Sequence, residues 1–279
     1  MSIVIRPAIC LVFGMLCAVN TTHALDLDKA ITLPDAPVTL PITEAKGWYL
    51  RGDISTSFKT LNRSHSFSTF SVGNSYRAGT ATNSNFKENS LSGGVGIGYR
   101  FNDVFRADAT VDIFSGSGTV SGTSLDRCPG ALGGTNCALT SSGKFTSYGL
   151  MANAYVDLAT VAKFTPYVGA GIGATQVNWG EFNGTGSCIG GGCGGVADVN
   201  IKNSGLSQWR TTWALMTGVS YELSEKAKLD FGYRYSRTSS GKMFGYDSAS
   251  TALGASGTQA RDGGFDRHEV RVGLRIAAW

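Results

Sequence analysis

Apolar and polar residues alternate one for one along eight stretches of the chain, with no helical period between them. In Arg106-Ala107-Asp108-Ala109-Thr110-Val111-Asp112-Ile113, Ala, Ala, Val and Ile fall on one side and Arg, Asp, Thr and Asp on the other. Successive side chains of a strand point to opposite faces, so a two-residue period gives a sheet with one apolar and one polar surface. The pattern predicts strands over residues 48–58, 90–101, 104–114, 145–158, 165–179, 208–223, 228–236 and 265–279. This succession predicts an all-β fold, an eight-stranded antiparallel up-and-down barrel.

The connections run long, short, long, short, long, short, long. Alternate connections of an up-and-down barrel lie at the same end, so four long loops gather at one rim and three short turns at the other. Outer-membrane barrels have this asymmetry, with the long loops outside the cell. The stretch 67–77 has some alternation of its own, which leaves ten strands as the alternative to eight.

Alternation alone does not say whether the apolar face points outward to lipid or inward, as in a soluble lipocalin-type barrel. Three features point to lipid. Several strands reach ten residues or more, enough to cross a bilayer at a tilt. Aromatic residues gather near strand ends, as an interfacial girdle requires: Trp48, Phe58, Tyr99, Phe101, Phe105, Phe114, Tyr221 and Tyr235. The chain also ends on an aromatic residue. In the last strand Val270, Val272, Leu274 and Ile276 keep the outward phase, Ala278 takes the next outward position, and Trp279 comes one residue late.

The start of the chain fits export. Residues 1–24 read as a secretory signal peptide, with Arg6 ahead of a short apolar run and Thr22-His23-Ala24 placing small residues where a signal peptidase reads. Residues 25–46, with Pro34, Pro37 and Pro41, are expected to form an extended periplasmic segment, leaving 47–279 for the barrel. No later apolar run is long enough for a membrane helix, so a spanning form has to be a barrel. A formal net charge of +4 is too small to argue for nucleic acid. The expected mature chain holds two local cysteine pairs, Cys128/Cys137 and Cys188/Cys193, in Gly-rich loops. In an oxidising compartment these are expected to close loops as disulfides, and neither pair has a nearby histidine to suggest a metal site.

The polar phase of the strands is rich in charge: Arg51, Asp53, Arg100, Arg106, Asp108, Asp112, Asp157, Arg210, Glu222, Asp230, Arg234, Glu269, Arg271 and Arg275. An eight-stranded barrel is just wide enough for its own side chains to fill. These residues are therefore expected to interlock as a buried network, with Gly94, Gly96, Gly98, Gly169, Gly171 and Gly173 making room. Such a network is a plug rather than a path. The first long loop carries Lys59, Arg63 and Arg77 with no acidic residue before Glu88, which predicts weak, salt-sensitive contact with lipopolysaccharide phosphates or other polyanions.

Three segments, Gly47-Trp48-Tyr49-Leu50-Arg51-Gly52-Asp53-Ile54, Thr165-Pro166-Tyr167-Val168-Gly169-Ala170-Gly171 and His268-Glu269-Val270-Arg271-Val272-Gly273-Leu274-Arg275, resemble the small outer-membrane β-barrel proteins of alphaproteobacteria. That group lies within the wider superfamily of the transmembrane domain of outer-membrane protein A. The resemblance covers the strands from Gly47 to Trp279 and implies an integral outer-membrane barrel inserted by the barrel-assembly machinery. It also implies roles in envelope integrity, host-surface contact or haemin binding.

The leading expectation is thus a non-enzymatic barrel that touches outer-membrane lipids and lipopolysaccharide and meets its surroundings, host surfaces included, through exterior loops. The alternatives are a small-solute porin and a haemin-binding surface protein, the latter using His65 in an exterior loop. No catalytic, cofactor-binding or metal-binding residue is assigned, since the one other histidine of the expected mature chain, His268, falls on the lipid-facing phase of its strand.

Overall fold

The computed structural model describes residues 46–278, except 63–64, 72–74, 89–90, 125–135, 191–192, 194 and 196–197. The expected signal peptide and periplasmic segment, as well as Trp279, lie outside the described residues. The strands are β1 (Gly47–Asn62), β2 (Ser66–Ser71), β3 (Ser75–Glu88), β4 (Leu91–Arg100), β5 (Phe105–Ser124), β6 (Asn136–Asp157) and β7 (Phe164–Trp179). They continue with β8 (Phe182–Ile189), β9 (Val199–Gly205), β10 (Ser207–Ser224), β11 (Ala227–Thr238), β12 (Gly241–Asp247), β13 (Thr258–Asp262) and β14 (Phe265–Ala277). A short helix, α1 (Ser248–Ala252), stands between β12 and β13.

Two closed rings share the β5–β6 hairpin. The membrane ring is β1-β4-β5-β6-β7-β10-β11-β14, every neighbour antiparallel and β14 closing on β1. These are the eight strands that the alternation predicts. The second ring, β5-β6-β8-β9-β12-β13-β2-β3, stands above the first on the side opposite the short turns. We call it the crown. The described residues of the stretch 67–77 therefore belong to the crown strands β2 and β3 and do not widen the membrane ring. The long connections fall at one rim as expected and are themselves built as hairpins, because β5 and β6, with 20 and 22 residues, run well past the roughly ten a bilayer needs. Their upper halves template new strands on either edge.

The outward phase of the membrane ring is apolar and open. Leu50, Ile54, Val95, Ile172 and Leu215 are 56%, 63%, 63%, 65% and 53% exposed, part of an apolar band of the kind that faces lipid in membrane barrels. Trp48, Tyr99 and Phe101 pack edge to face near the short-turn rim, and Phe164 packs on Tyr221 there. Phe58, Tyr233, Tyr235 and His268 cluster at the other border, where the Tyr233 hydroxyl lies 2.6 Å from His268 Nδ1. One expected girdle residue is corrected: Phe114 points inward and is 5% exposed. It lies two residues past Asp112, and residues two apart share a face.

The short turns are built locally. Asn102 Oδ1 accepts from the Val104 and Phe105 amides at 2.9 and 2.7 Å, and the Ser224 hydroxyl accepts from the Ala227 amide at 3.1 Å. Between β6 and β7, Val161 and Phe164 exchange two backbone bonds of 2.9 Å around Ala162 and Lys163, with φ of 49° and 72°. A two-residue hairpin turn with both φ positive matches strand twist but strains any residue bearing a Cβ. Replacing Ala162-Lys163 by Asn-Gly is expected to raise stability by about 1–2 kcal/mol, read as a higher urea midpoint of the folded barrel.

Candidate functional site

The lumen of the membrane ring is filled by charge. Among the described residues, seven buried guanidiniums point inward (Arg51, Arg106, Arg210, Arg234, Arg267, Arg271, Arg275) against seven inward carboxylates (Asp53, Asp108, Asp112, Asp157, Asp230, Asp262, Glu269), while an eighth buried carboxylate, Asp266, pairs with Arg237 on the other phase of β14. Arg51 grips Asp53 with two bonds of 2.9 and 2.8 Å and reaches Asp108 and the Tyr155 hydroxyl at 2.7 and 2.8 Å. Arg234 bridges Asp112 and Glu269, both at 2.7 Å, while Arg271 reaches Asp112 at 2.7 Å. Arg106 holds Asp157 at 3.0 Å and lies over the Tyr155 ring at 3.9 Å, and Arg275 holds Asp230 at 2.8 Å.

Each strand brings its charges to this layer because inward positions recur every second residue. The opposing strands supply little bulk there. A Cβ on Gly98 would run into the Tyr49 ring, and one on Gly171 into the Asn153 amide. Two predicted members stand apart from the packed layer. Arg100 and Glu222 are half buried at the short-turn rim, Glu222 opposite Lys228, because their positions are strand ends that open to water. Two members went unpredicted: Arg267 reaches Glu269 at 3.0 Å, and Asp262 reaches Arg210 at 2.7 Å. Arg267 shares the phase of Glu269 and could have been read from it, whereas Asp262 sits on a crown strand.

Above the charges the interior changes character. Phe114, Val120, Phe145, Val177, Trp179, Phe182, Met243, Phe244, Ala260 and Phe265 form a buried apolar cluster within the crown, with Phe67 packed against it. Phe145 stacks on Phe265 at 5.5 Å and meets Trp179 at 4.8 Å. The Arg267 guanidinium lies 3.7 Å from the Phe114 ring centroid, joining the two layers by a cation–π contact. The lumen therefore carries an ionic layer in the membrane and an aromatic layer above it.

The profile of the family described as "Outer membrane protein beta-barrel domain" matches residues 38–275. This chain belongs to that outer-membrane β-barrel family. A protein of Brucella suis is 36% identical over 289 residues, covering 95% of each chain. A protein of Rickettsia bellii, named as a candidate adhesin, is 27% identical and covers 94% of this chain and 98% of its own. Neisserial surface protein A (19% identity, TM-score 0.40) covers 83% of this chain and 97% of its own. OprG of Pseudomonas aeruginosa (13% identity, TM-score 0.41) covers 84% and 96%. The protein is an integral outer-membrane β-barrel, and its apolar band contacts membrane lipid.

Of the remaining predicted positions of this outer-membrane barrel, Cys137, Cys188 and Cys193 lie in the crown. Cys188 and Cys193 form a disulfide that closes the β8–β9 tip. Cys137 is disulfide-bonded too and lies opposite Cys188 across β6 and β8, while Cys128 falls outside the described residues. Of the predicted basic loop, Arg63 and the side chains of Lys59 and Arg77 lie outside the described residues. The backbones of Lys59 and Arg77 run in β1 and β3 rather than in loops. His65 is half buried beside β2, and burial lowers its imidazole pKa to about 4, so it is neutral at neutral pH.

Proposed function

We propose that this barrel is a sealed, non-enzymatic surface protein whose membrane ring braces the envelope and whose crown attaches to other surfaces. The observation that carries this reading is the placement of apolar side chains on the crown. Tyr76, Ile189 and Leu253 are 51%, 48% and 60% exposed, each near the tip of a different hairpin and away from the lipid-facing band. Their backbones are held in place. Tyr76 packs against Phe70 and Tyr246 at 5.1 and 5.8 Å, and its hydroxyl accepts from the Ser256 amide at 3.1 Å. Ile189 adjoins the Cys188–Cys193 disulfide. Single exposed apolar residues are ordinary on protein surfaces. Pre-ordered ones at the outermost rim, however, offer contact area at a low entropic cost of binding.

The name of the Rickettsia bellii relative agrees with attachment. The two filled layers of the lumen favour a sealed barrel over a small-solute porin. Half burial of His65 speaks against its serving as a ready haem ligand. Insertion by the barrel-assembly machinery fits the outward phase of Val270, Val272, Leu274 and Ile276 on β14.

The test compares cells lacking the protein with cells carrying the parent or the triple variant Tyr76→Ser, Ile189→Ser, Leu253→Ser. Attachment of the triple variant to host-cell monolayers is expected to fall to the level of cells lacking the protein. Heat-modifiable gel mobility should stay that of a folded barrel. Undiminished attachment by a folded variant would remove the adhesive part of the reading.

A further inference from the structure

The outer wall of the crown where β3, β5 and β6 run side by side carries an arrangement that neither the sealed lumen nor the tips explain. The register places Lys87 opposite Ser117 and Ser117 opposite Lys144, so two lysines flank one serine in a single row. All three residues are exposed on the outward phase. The lysine backbones are two strand spacings apart, about 10 Å, and long side chains span that gap above a residue as small as serine.

The row has a defined height. The outermost lipid-facing apolar residues of this wall are Leu91, Ile113 and Tyr148, at 70%, 49% and 41% exposure. Ser117 and Lys144 lie four residues beyond Ile113 and Tyr148 on β5 and β6, and the register sets Lys87 level with them. Four residues amount to about 13 Å along a strand, or about 9 Å along the membrane normal at a 45° tilt. That is the depth of the headgroups of the outer leaflet.

The surrounding chemistry favours an anion with sugar attached. The outward residues of β5 beyond Ile113 are Ser115, Ser117, Thr119, Ser121 and Thr123, and those of β6 beyond Tyr148 are Thr146, Lys144, Ser142 and Thr140. They are hydroxyl-bearing side chains and a lysine, with no carboxylate among them. The nearest described exposed acid by chain position, Asp103, lies in the short turn between β4 and β5 at the far rim, and Glu181 pairs loosely with Lys202 at 3.9 Å. Two like charges flanking one small residue repel each other unless an anion lies between them.

We propose that Lys87, Ser117 and Lys144 form a seat for the phosphate of a phosphorylated glycolipid of the outer leaflet. Its acyl chains lie against the band below Ile113 and Tyr148, and its sugars lie on the hydroxyl face above. This seat uses none of the basic residues Lys59, Arg63 and Arg77, and it does not depend on the attachment reading.

The test uses the folded full-length barrel in detergent and measures binding of diphosphorylated lipid A by native mass spectrometry. The parent is expected to bind diphosphorylated lipid A, to bind lipid A stripped of its phosphates far less, and to be unaffected by equal concentrations of free pyrophosphate. Lys87→Gln with Lys144→Gln should weaken binding about tenfold or more, since each lysine near such a surface is worth about 1 kcal/mol. Ser117→Glu, which leaves both lysines in place but sets a carboxylate between them, should do the same. Lys242→Gln with Arg261→Gln removes the same charge from the opposite wall, where these exposed residues face each other across β12 and β13, and should leave binding within about twofold of the parent. Equal loss in that control, unchanged binding in the Lys87/Lys144 variant, or full competition by pyrophosphate would each overturn the proposal. Heat-modifiable mobility verifies that every variant compared is folded.

Discussion

Replacing Glu269 by Leu is expected to lower the stability of the folded barrel by about 3–5 kcal/mol, the usual cost of breaking a buried ion pair from one side. Glu269 has no exposed surface and accepts from Arg234 at 2.7 Å, Arg267 at 3.0 Å and the Ser55 hydroxyl at 3.1 Å. Without it, Arg234 keeps Asp112, but Arg267 loses its 3.0 Å bond to this carboxylate, and among the described residues seven inward guanidiniums face six inward carboxylates. Urea unfolding of the barrel in lipid vesicles, followed by tryptophan fluorescence, reads the loss. The double variant Glu269→Leu with Arg267→Leu restores six against six and should recover most of it, because a pair removed together leaves no uncompensated charge. If the double variant were as unstable as the two single losses summed, the charges would not be acting as a coupled layer.

That layer was legible in the chain because a two-residue period fixes which side chains share a face. Arg51 and Asp53, Arg106 and Asp108, or Glu269 and Arg271 declare themselves inward once Leu50, Val111 and Val272 are taken as outward. What escaped detection lies where the outside changes from lipid to water. Beyond Ile113 and Tyr148 the outward residues of β5 and β6 become Ser, Thr and Lys, and the inward ones include Gly116, Gly118 and Gly143, so neither face is consistently apolar. Alternation vanishes although the strands continue, and the sequence then reads as polar loop. The crown hairpins are specified instead by long-range pairing onto the extended edges of β5 and β6, which no local pattern announces. Phe114 misleads for a related reason. An aromatic near a strand end satisfies the girdle rule, and only its phase relative to Asp112 shows that it faces the interior.

The aromatic layer predicts a division of labour between the two rings. Phe145→Ala with Phe265→Ala removes a stacked pair from the centre of the apolar cluster, where each Phe→Ala change alone costs about 3–5 kcal/mol and the two are in contact, so their effects should not add. The loss falls first on the crown, whose strands β8, β9, β12 and β13 enclose that cluster, and less on the membrane ring, whose closure runs through other pairings. Limited proteolysis of the folded double variant should therefore cut the crown hairpins much faster than in the parent, while the heat-modifiable band persists. Where the alanine pair proves too disruptive to recover, Phe145→Leu with Phe265→Leu keeps more volume and should show the same order of events. In planar bilayers neither the parent nor either variant should give steady openings, because the ionic layer below still fills the ring with interlocked Arg and carboxylate side chains. Steady openings in the parent would make the lumen a path rather than a plug, and openings that arise only on loss of the aromatic pair would shift the seal from the charges to the crown.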